Sequence, residues 1–367
     1  MLIQIRNCAK ENTYRIEKST SALIKGVAAI LMLVHHMYTF PGWVVAGAYS
    51  VDPVFAQLFR NPTRICVGMF AFITGWAFVL KKEKTLGHVL QKIATLYTEY
   101  WVAFFVLFLF AFSACGYRPG VGTVLAEMTG FSGELMLFCW YVPFWAAAVL
   151  LLHGIRKVLD QSFWWALLGG IVFPIVIFAV AERIIPVKSI ATLVNHLKHF
   201  FPCVAVGYIC CRYNVFEILR VALQRINRLI VLVLTVILVS VSRYYITAAD
   251  FIYSPMLIFA IANAVQGGKK IKAARAVEKL LQIFGKYSAN IWYLHCVVFS
   301  TVTNRVVQPY VYWSANPLAN FVGMLFFILL ISYVLSFVDR FFLEFMRRVK
   351  NALFLDAAKH DSGNDAL

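Results

Sequence analysis

Two kinds of ionisable side chain lie inside one oily stretch. KGVAAILMLVHHMYTF, residues 25–40, opens with Lys25 and carries His35 and His36 two-thirds of the way along. A charged lysine at hydrocarbon depth costs about 2.5 to 3.5 kcal/mol, so such residues usually have a task. In an α-helix the steps from Lys25 to His36 amount to roughly 1100°, about 20° past three full turns, which puts both on one face about 16 Å apart along the axis. His35 lies about 100° round from His36 and leaves that face. A lysine offers a fixed charge to phosphates. An imidazole, with an ordinary pKa of about 6.5, can take a proton from a hydroxyl or accept a transferred group. The bland alternatives are a lysine snorkelling to a membrane boundary and histidines that merely bond neighbouring helices.

The elements that must position these residues are set by composition. Of 367 residues, 61% are hydrophobic and 14% charged, against about 25% charged in ordinary globular chains. That excludes a soluble fold and predicts a polytopic membrane protein. The net charge of +17 would suit nucleic acid if the basic residues formed one patch. They fall instead in short clusters between apolar runs, so no nucleic-acid partner is expected. The eight cysteines show neither CxxC pairs nor zinc spacing, so neither a metal site nor a disulfide framework follows. MLIQIRNCAKENTYRIEKST lacks the apolar core and cleavage site of a signal peptide, and the first apolar segment is expected to stay as an anchor.

Crossing a bilayer takes about 20 apolar residues. Such segments fall near 21–40, 64–81, 97–115, 136–154, 162–181, 199–212, 227–246, 250–266, 280–303 and 317–338. An all-α bundle of about ten transmembrane helices follows, with both termini on one side. Of the 34 Lys and Arg, eight (Arg60, Arg64, Arg118, Arg183, Lys188, Lys198, Arg243 and Arg305) fall on one side, and the other 26 mark the opposite side as cytoplasmic. The expected organisation is a cytoplasmic segment over 1–20, a transmembrane domain over 21–345 and a cytoplasmic tail over 346–367.

A Lys or Arg, ten residues and a His in the first spanning helix resembles the acyltransferase 3 family of bacterial membrane acyltransferases, carried here by Lys25 and His36. CVGMFAFITGWAF (66–78) is similar to the family's second-helix phrase, with Thr74, Gly75 and Trp76 in its last places. HFFPCVAVGYICCRYNVFE (199–217) resembles a later phrase of aromatics, Pro and Gly. FGKYSANIWYLHCVV (284–298) resembles the ninth-helix phrase through Gly285, Ser288, Tyr293 and His295. Two departures stand out. QKIATLYTEYW has only Lys92 where the family often has Arg-x-x-Arg, with Thr95 in the second place. The soluble hydrolase-like domain that some members add is not among these residues, and the expectation is that the membrane part, or a partner, completes transfer.

The resemblance implies movement of an acyl group, commonly acetyl, from cytoplasmic acyl-CoA to a hydroxyl of a glycan or lipid-linked saccharide, in a bacterial cytoplasmic membrane and with no metal. His36 is then the general base or the group acylated in passing, with His35 beside it. Lys25 is the better candidate for the donor contact; Lys81, Lys82, Lys84 and Lys92 offer further charges at the same face, but the topology of the chain already accounts for them. Arg64, in RNPTR before the second helix, can polarise the acceptor or a developing oxyanion, and Glu134 is the candidate carboxylate of the outer loop. Trp76, Tyr293 and His295 join the substrate-binding set, Asn290 is expected in the same cavity, and Glu99 is expected to pair with Lys92. Trp140 is read as an interfacial belt residue with a lesser claim to stacking on a glycan. The rival function is a transporter using Lys25 and His36 as a relay, although no paired halves with matching broken helices are visible. A non-catalytic scaffold would leave the Lys and His unexplained.

Overall fold

The structure, a computed structural model, describes residues 14–81, 85–131, 133–266 and 272–364. Lys82 and Lys84, and residues 1–13 of the N-terminal segment, lie outside the described residues. Among the described residues there is no strand, and the protein is a helical bundle. Its helices are α1 (Lys18–Tyr38), α2 (Pro53–Thr63), α3 (Cys66–Leu80), α4 (Leu86–Ala114), α5 (Val121–Thr129) and α6 (Tyr141–Leu159). There follow α7 (Phe163–Ile184), α8 (Lys188–Arg212), α9 (Val215–Ala222), α10 (Arg228–Tyr245) and α11 (Asp250–Val265). The chain closes with α12 (Lys272–Lys286), α13 (Ser288–Leu294), α14 (Cys296–Phe299), α15 (Asn304–Val311) and α16 (Pro317–Asn364).

Seven of the expected spans are helices long and apolar enough to cross a membrane, and Asp250–Val265 is a shorter apolar one. The remaining two differ from expectation for physical reasons. The span expected at 199–212 is the second half of α8, which begins at Lys188. Its polar first half is held by an ion pair from Lys198 to Glu182 of α7 and by His196 stacked 3.9 Å from Trp140. The span expected at 280–303 is not one helix but α12, α13 and α14 in succession, interrupted at Tyr287 and His295. Side chains satisfy the backbone freed beyond the second break. Ser300 Oγ accepts from the Val302 amide at 3.2 Å, and Thr303 Oγ1 donates to the Val297 carbonyl, as irregular backbone inside a membrane bundle requires. Ser300 Oγ also donates to the Glu134 carbonyl at 2.6 Å and ties the segment to the loop before α6.

Capping residues mark where several helices start. Asp52 accepts from the Phe55 amide ahead of Pro53, Thr85 from His88 and Ser162 from Trp165. A π-helical turn at Leu168–Val172, just before Pro174, interrupts α7.

Close packing fixes the helices around the candidate residues at two reciprocal glycine contacts. A Cβ on Gly75 of α3 would collide with the Val204 carbonyl of α8, and one on Gly207 of α8 with the Phe72 carbonyl. Likewise a Cβ on Gly26 of α1 would meet the Leu281 carbonyl of α12, and one on Gly285 the Ala22 carbonyl. Small residues let helix backbones touch where lipid supplies no hydrophobic drive. Gly285→Ala therefore has to push α12 off α1, and such overpacking costs about 1 to 3 kcal/mol. A thermal melt in detergent is expected to show a lower midpoint for Gly285→Ala and no fall for Gly87→Ala, whose Cβ meets nothing within 4 Å.

Candidate active site

α1 carries Lys25 at one end and His36 near the other, and the two ends open on different surroundings. Lys25 lines a cavity of about 300 Å³ together with Lys81, His88 and Lys92 at its mouth and Phe70, Tyr141, Trp145, Trp292 and Tyr293 deeper in. Among the described residues the lining contains no carboxylate. Thr74, from the second-helix phrase, accepts from Trp145 Nε1 at 3.1 Å and so fixes part of the wall. The cavity is thus cationic at its mouth and apolar along its length.

Beyond the cavity lies a stack of rings. His36 sits 4.9 Å from His295, with 25° between the ring planes. Phe138, from the segment between α5 and α6, lies 4.0 Å from His36 and 4.8 Å from His295, close to parallel with both. Trp43, Phe40 and Phe299 complete the surround of His36 at 6.0 to 6.2 Å. Trp292 joins the two regions. It lines the cavity, approaches His295 edge-on at 6.2 Å and donates from Nε1 to the Phe138 carbonyl at 3.1 Å.

Hydrogen bonding fixes the tautomers of His295 and His35. His295 Nδ1 lies 2.5 Å from the Trp292 carbonyl, which can only accept, so Nδ1 carries the proton and Nε2 keeps its lone pair. That Nε2 is buried without a hydrogen-bond partner, as is His36 Nδ1. His35 differs: its Nδ1 meets Thr63 Oγ1 at 3.1 Å and Thr39 Oγ1 at 3.3 Å. Each of those hydroxyls gives its single hydrogen to a main-chain carbonyl, Thr63 to Phe59 and Thr39 to His35. His35 Nδ1 must therefore donate, and the ring is anchored to α2.

On the far side of these rings a polar cavity of about 620 Å³ is lined by Thr39, Arg60, Asn61, Arg64 and Tyr244, among others. Its wall is braced from behind. Arg243 of α10, fully buried, forms an ion pair with Asp250 and donates from Nε to the Asn61 carbonyl at 2.9 Å.

The sequence-predicted residues are thus sorted. His36, His35 and His295 come together, Lys25 and Tyr293 share the first cavity, and Arg64 lines the opposite one. Trp76 is not with them: it is buried against Phe72 and Phe216 and lines neither cavity. Glu134 is exposed and accepts from Tyr117 at 3.0 Å, with no contact to a histidine. Its neighbour Glu127 is buried and accepts from the Leu135 and Met136 amides, a bracing role for the segment that carries Phe138. Asn290 faces away from the histidines, donating to Asp339 at 2.8 Å in a separate cavity of about 500 Å³ that also holds Glu99 and Lys286. No ion pair joins Glu99 to Lys92 among the described residues.

Sequence reasoning missed Phe138, Trp292 and Gln308. Gln308 uses its whole amide, accepting from Val45 and Ala46 and donating to the Trp43 and Val298 carbonyls. It ties the Trp43 loop to the broken ninth segment. Its only sequence signal is a lone amide between apolar residues, which spacing cannot distinguish from a surface loop.

The family model described as an acyltransferase domain matches residues 22–337, nearly the whole chain. The chain therefore belongs to the acyltransferase 3 family and is a multi-pass membrane acyltransferase. No curated protein and no solved structure matches it. Because Phe138 covers both imidazoles, Phe138→Ala is expected to raise the rate at which diethylpyrocarbonate modifies His36 and His295 several-fold, read by peptide mass spectrometry.

Proposed function

We propose that the chain moves an acyl group, acetyl in the first instance, from cytoplasmic acyl-CoA to a hydroxyl of a cell-surface or envelope glycan, from a site in the bacterial inner membrane. The observation that carries this reading is the stacked His36–His295 pair, with a bare ring nitrogen on each, placed beyond a cationic cavity in a member of an acyltransferase family. Lys25, Lys81 and Lys92 at the cavity mouth match the phosphates of coenzyme A. The apolar wall beyond them suits the thioester arm, and the helical rise of about 16 Å from Lys25 to His36 gives that arm its reach.

In the reaction an imidazole takes the acceptor hydroxyl proton as the oxygen attacks the thioester carbonyl. The carbon–sulfur bond breaks, and the coenzyme A thiolate leaves with the proton returned from the imidazolium. If His36 is acylated first, the same bond breaks before the acceptor arrives, and the second imidazole serves as base. In this reading both termini, the tail over 346–367 and the mouth of the Lys25 cavity are cytoplasmic, in keeping with the excess of basic residues on that side.

Replacing a general base typically costs about 10²- to 10⁴-fold in rate. His36→Ala, purified and folded, is expected to lose acyl transfer by that order, with His35→Ala losing less because its ring is held through Thr63. Lys25→Gln is expected to raise KM for acyl-CoA more than KM for the acceptor. The assay is release of coenzyme A thiol by protein in nanodiscs, alongside mass spectrometry of surface glycans from cells with and without the gene. Full acylation by a folded His36→Ala protein refutes the role of His36.

A further inference from the structure

The polar cavity on the far side of the histidines has a charge that topology does not explain. Outward-facing loops of a membrane protein are poor in Lys and Arg. Yet two of the eight such residues assigned to that side, Arg60 and Arg64, stand four positions apart, both exposed, and line one cavity of about 620 Å³. Among the described residues no carboxylate lines it and neither arginine has an ion pair. The nearby carboxylates are already engaged: Asp52 caps α2 through the Phe55 amide, and Asp250 is paired with Arg243.

The rest of the lining is suited to a saccharide. Gln57, Asn61, Thr39 and Tyr244 supply neutral hydrogen-bonding groups beside the two guanidinium groups. The cavity is also coupled to the reacting residues. The Arg60 guanidinium lies 4.6 Å over Phe40, whose ring stacks at 4.0 Å on Trp43 and meets His35 edge-on at 5.1 Å. Thr39, in the lining, is bonded to His35. Meanwhile the buried Arg243 holds the Asn61 carbonyl and so fixes the stretch between the two arginines.

We infer that this cavity is the acceptor subsite and that Arg60 and Arg64 bind an anionic oxygen group, phosphate or carboxylate, carried by the acceptor saccharide. The inference rests on the acyltransferase reading for its word acceptor, but the anion site stands on its own geometry. Two guanidinium groups recognise phosphate and carboxylate through paired hydrogen bonds, and the hydroxyl to be acylated is then delivered past Phe40 toward His36.

The test uses the full chain in phosphatidylcholine nanodiscs and follows binding of glucose 6-phosphate, glucuronate and glucose by microscale thermophoresis. The two anionic sugars are expected to bind about tenfold or more tightly than glucose, a step of about 1.4 kcal/mol. Added KCl is expected to weaken only the anionic sugars, and Arg60→Gln with Arg64→Gln to remove the difference. Glucose binding as well as glucose 6-phosphate, or anionic binding indifferent to KCl in the unaltered protein, overturns the proposal even if the double variant fails to fold. A second set of nanodiscs made with phosphatidylglycerol separates sources of the anion. Retained sugar-phosphate binding there supports the acceptor, and its loss assigns the site to lipid headgroups and overturns it. Thiol release from acetyl-CoA is measured on the same samples, so that absent turnover with intact anionic binding counts against the acyltransferase reading alone.

Discussion

The arrangement of the site depends on one backbone contact, that of α1 with α12 at Gly26 and Gly285. His36 follows Gly26 by ten positions and His295 follows Gly285 by ten. Two chains locked side by side at one level and running the same way for about 15 Å bring equivalent positions together again, and here those positions are the two imidazoles, 4.9 Å apart. Lys25 precedes Gly26 by a single residue, so the same contact sets the mouth of the first cavity. The glycine in the FGKYSAN phrase thus works at a distance, through register rather than by touching a substrate.

Much of this was legible in the chain. The 3.6-residue period put Lys25 and His36 on one face and turned His35 toward another flank, and seven of the ten apolar runs coincide with helices long and apolar enough to cross a membrane. What escaped were features that depend on partners distant in sequence. The ninth segment reads as a continuous oily run, because nothing local shows that Ser300 and Thr303 will supply hydrogen bonds in place of helical ones. Phe138 lies in a stretch of turns and loop whose aromatics look like an interfacial belt, yet it packs between α1 and the segment around His295. Trp76 is the opposite case. Motif position suggested a binding role, whereas its ring fills the contact with α9 through Phe216.

Polar groups in this bundle are spent in pairs and chains, as the lack of water in a bilayer core demands. Gln308 is saturated, Glu127 takes two amides, and Arg243 takes both Asp250 and a carbonyl. Among the buried polar atoms left without a partner, which include Trp76 Nε1, Ser254 Oγ and Ser332 Oγ, the nitrogens of His36 and His295 are the two that face one another across stacked rings. A buried polar atom without a partner costs about 1 to 3 kcal/mol, a cost that a ligand hydrogen-bonding there would relieve.

The two cavities approach one another from opposite sides of the bundle and share no lining residue. Between them stand Trp292, His295, Phe138, His36, Trp43 and Phe40, ring against ring. Stacked in this way, the rings form a partition between the two cavities. In the orientation proposed above, the same partition would stand between the two aqueous phases, so that these ring faces would serve as a septum as well as a site.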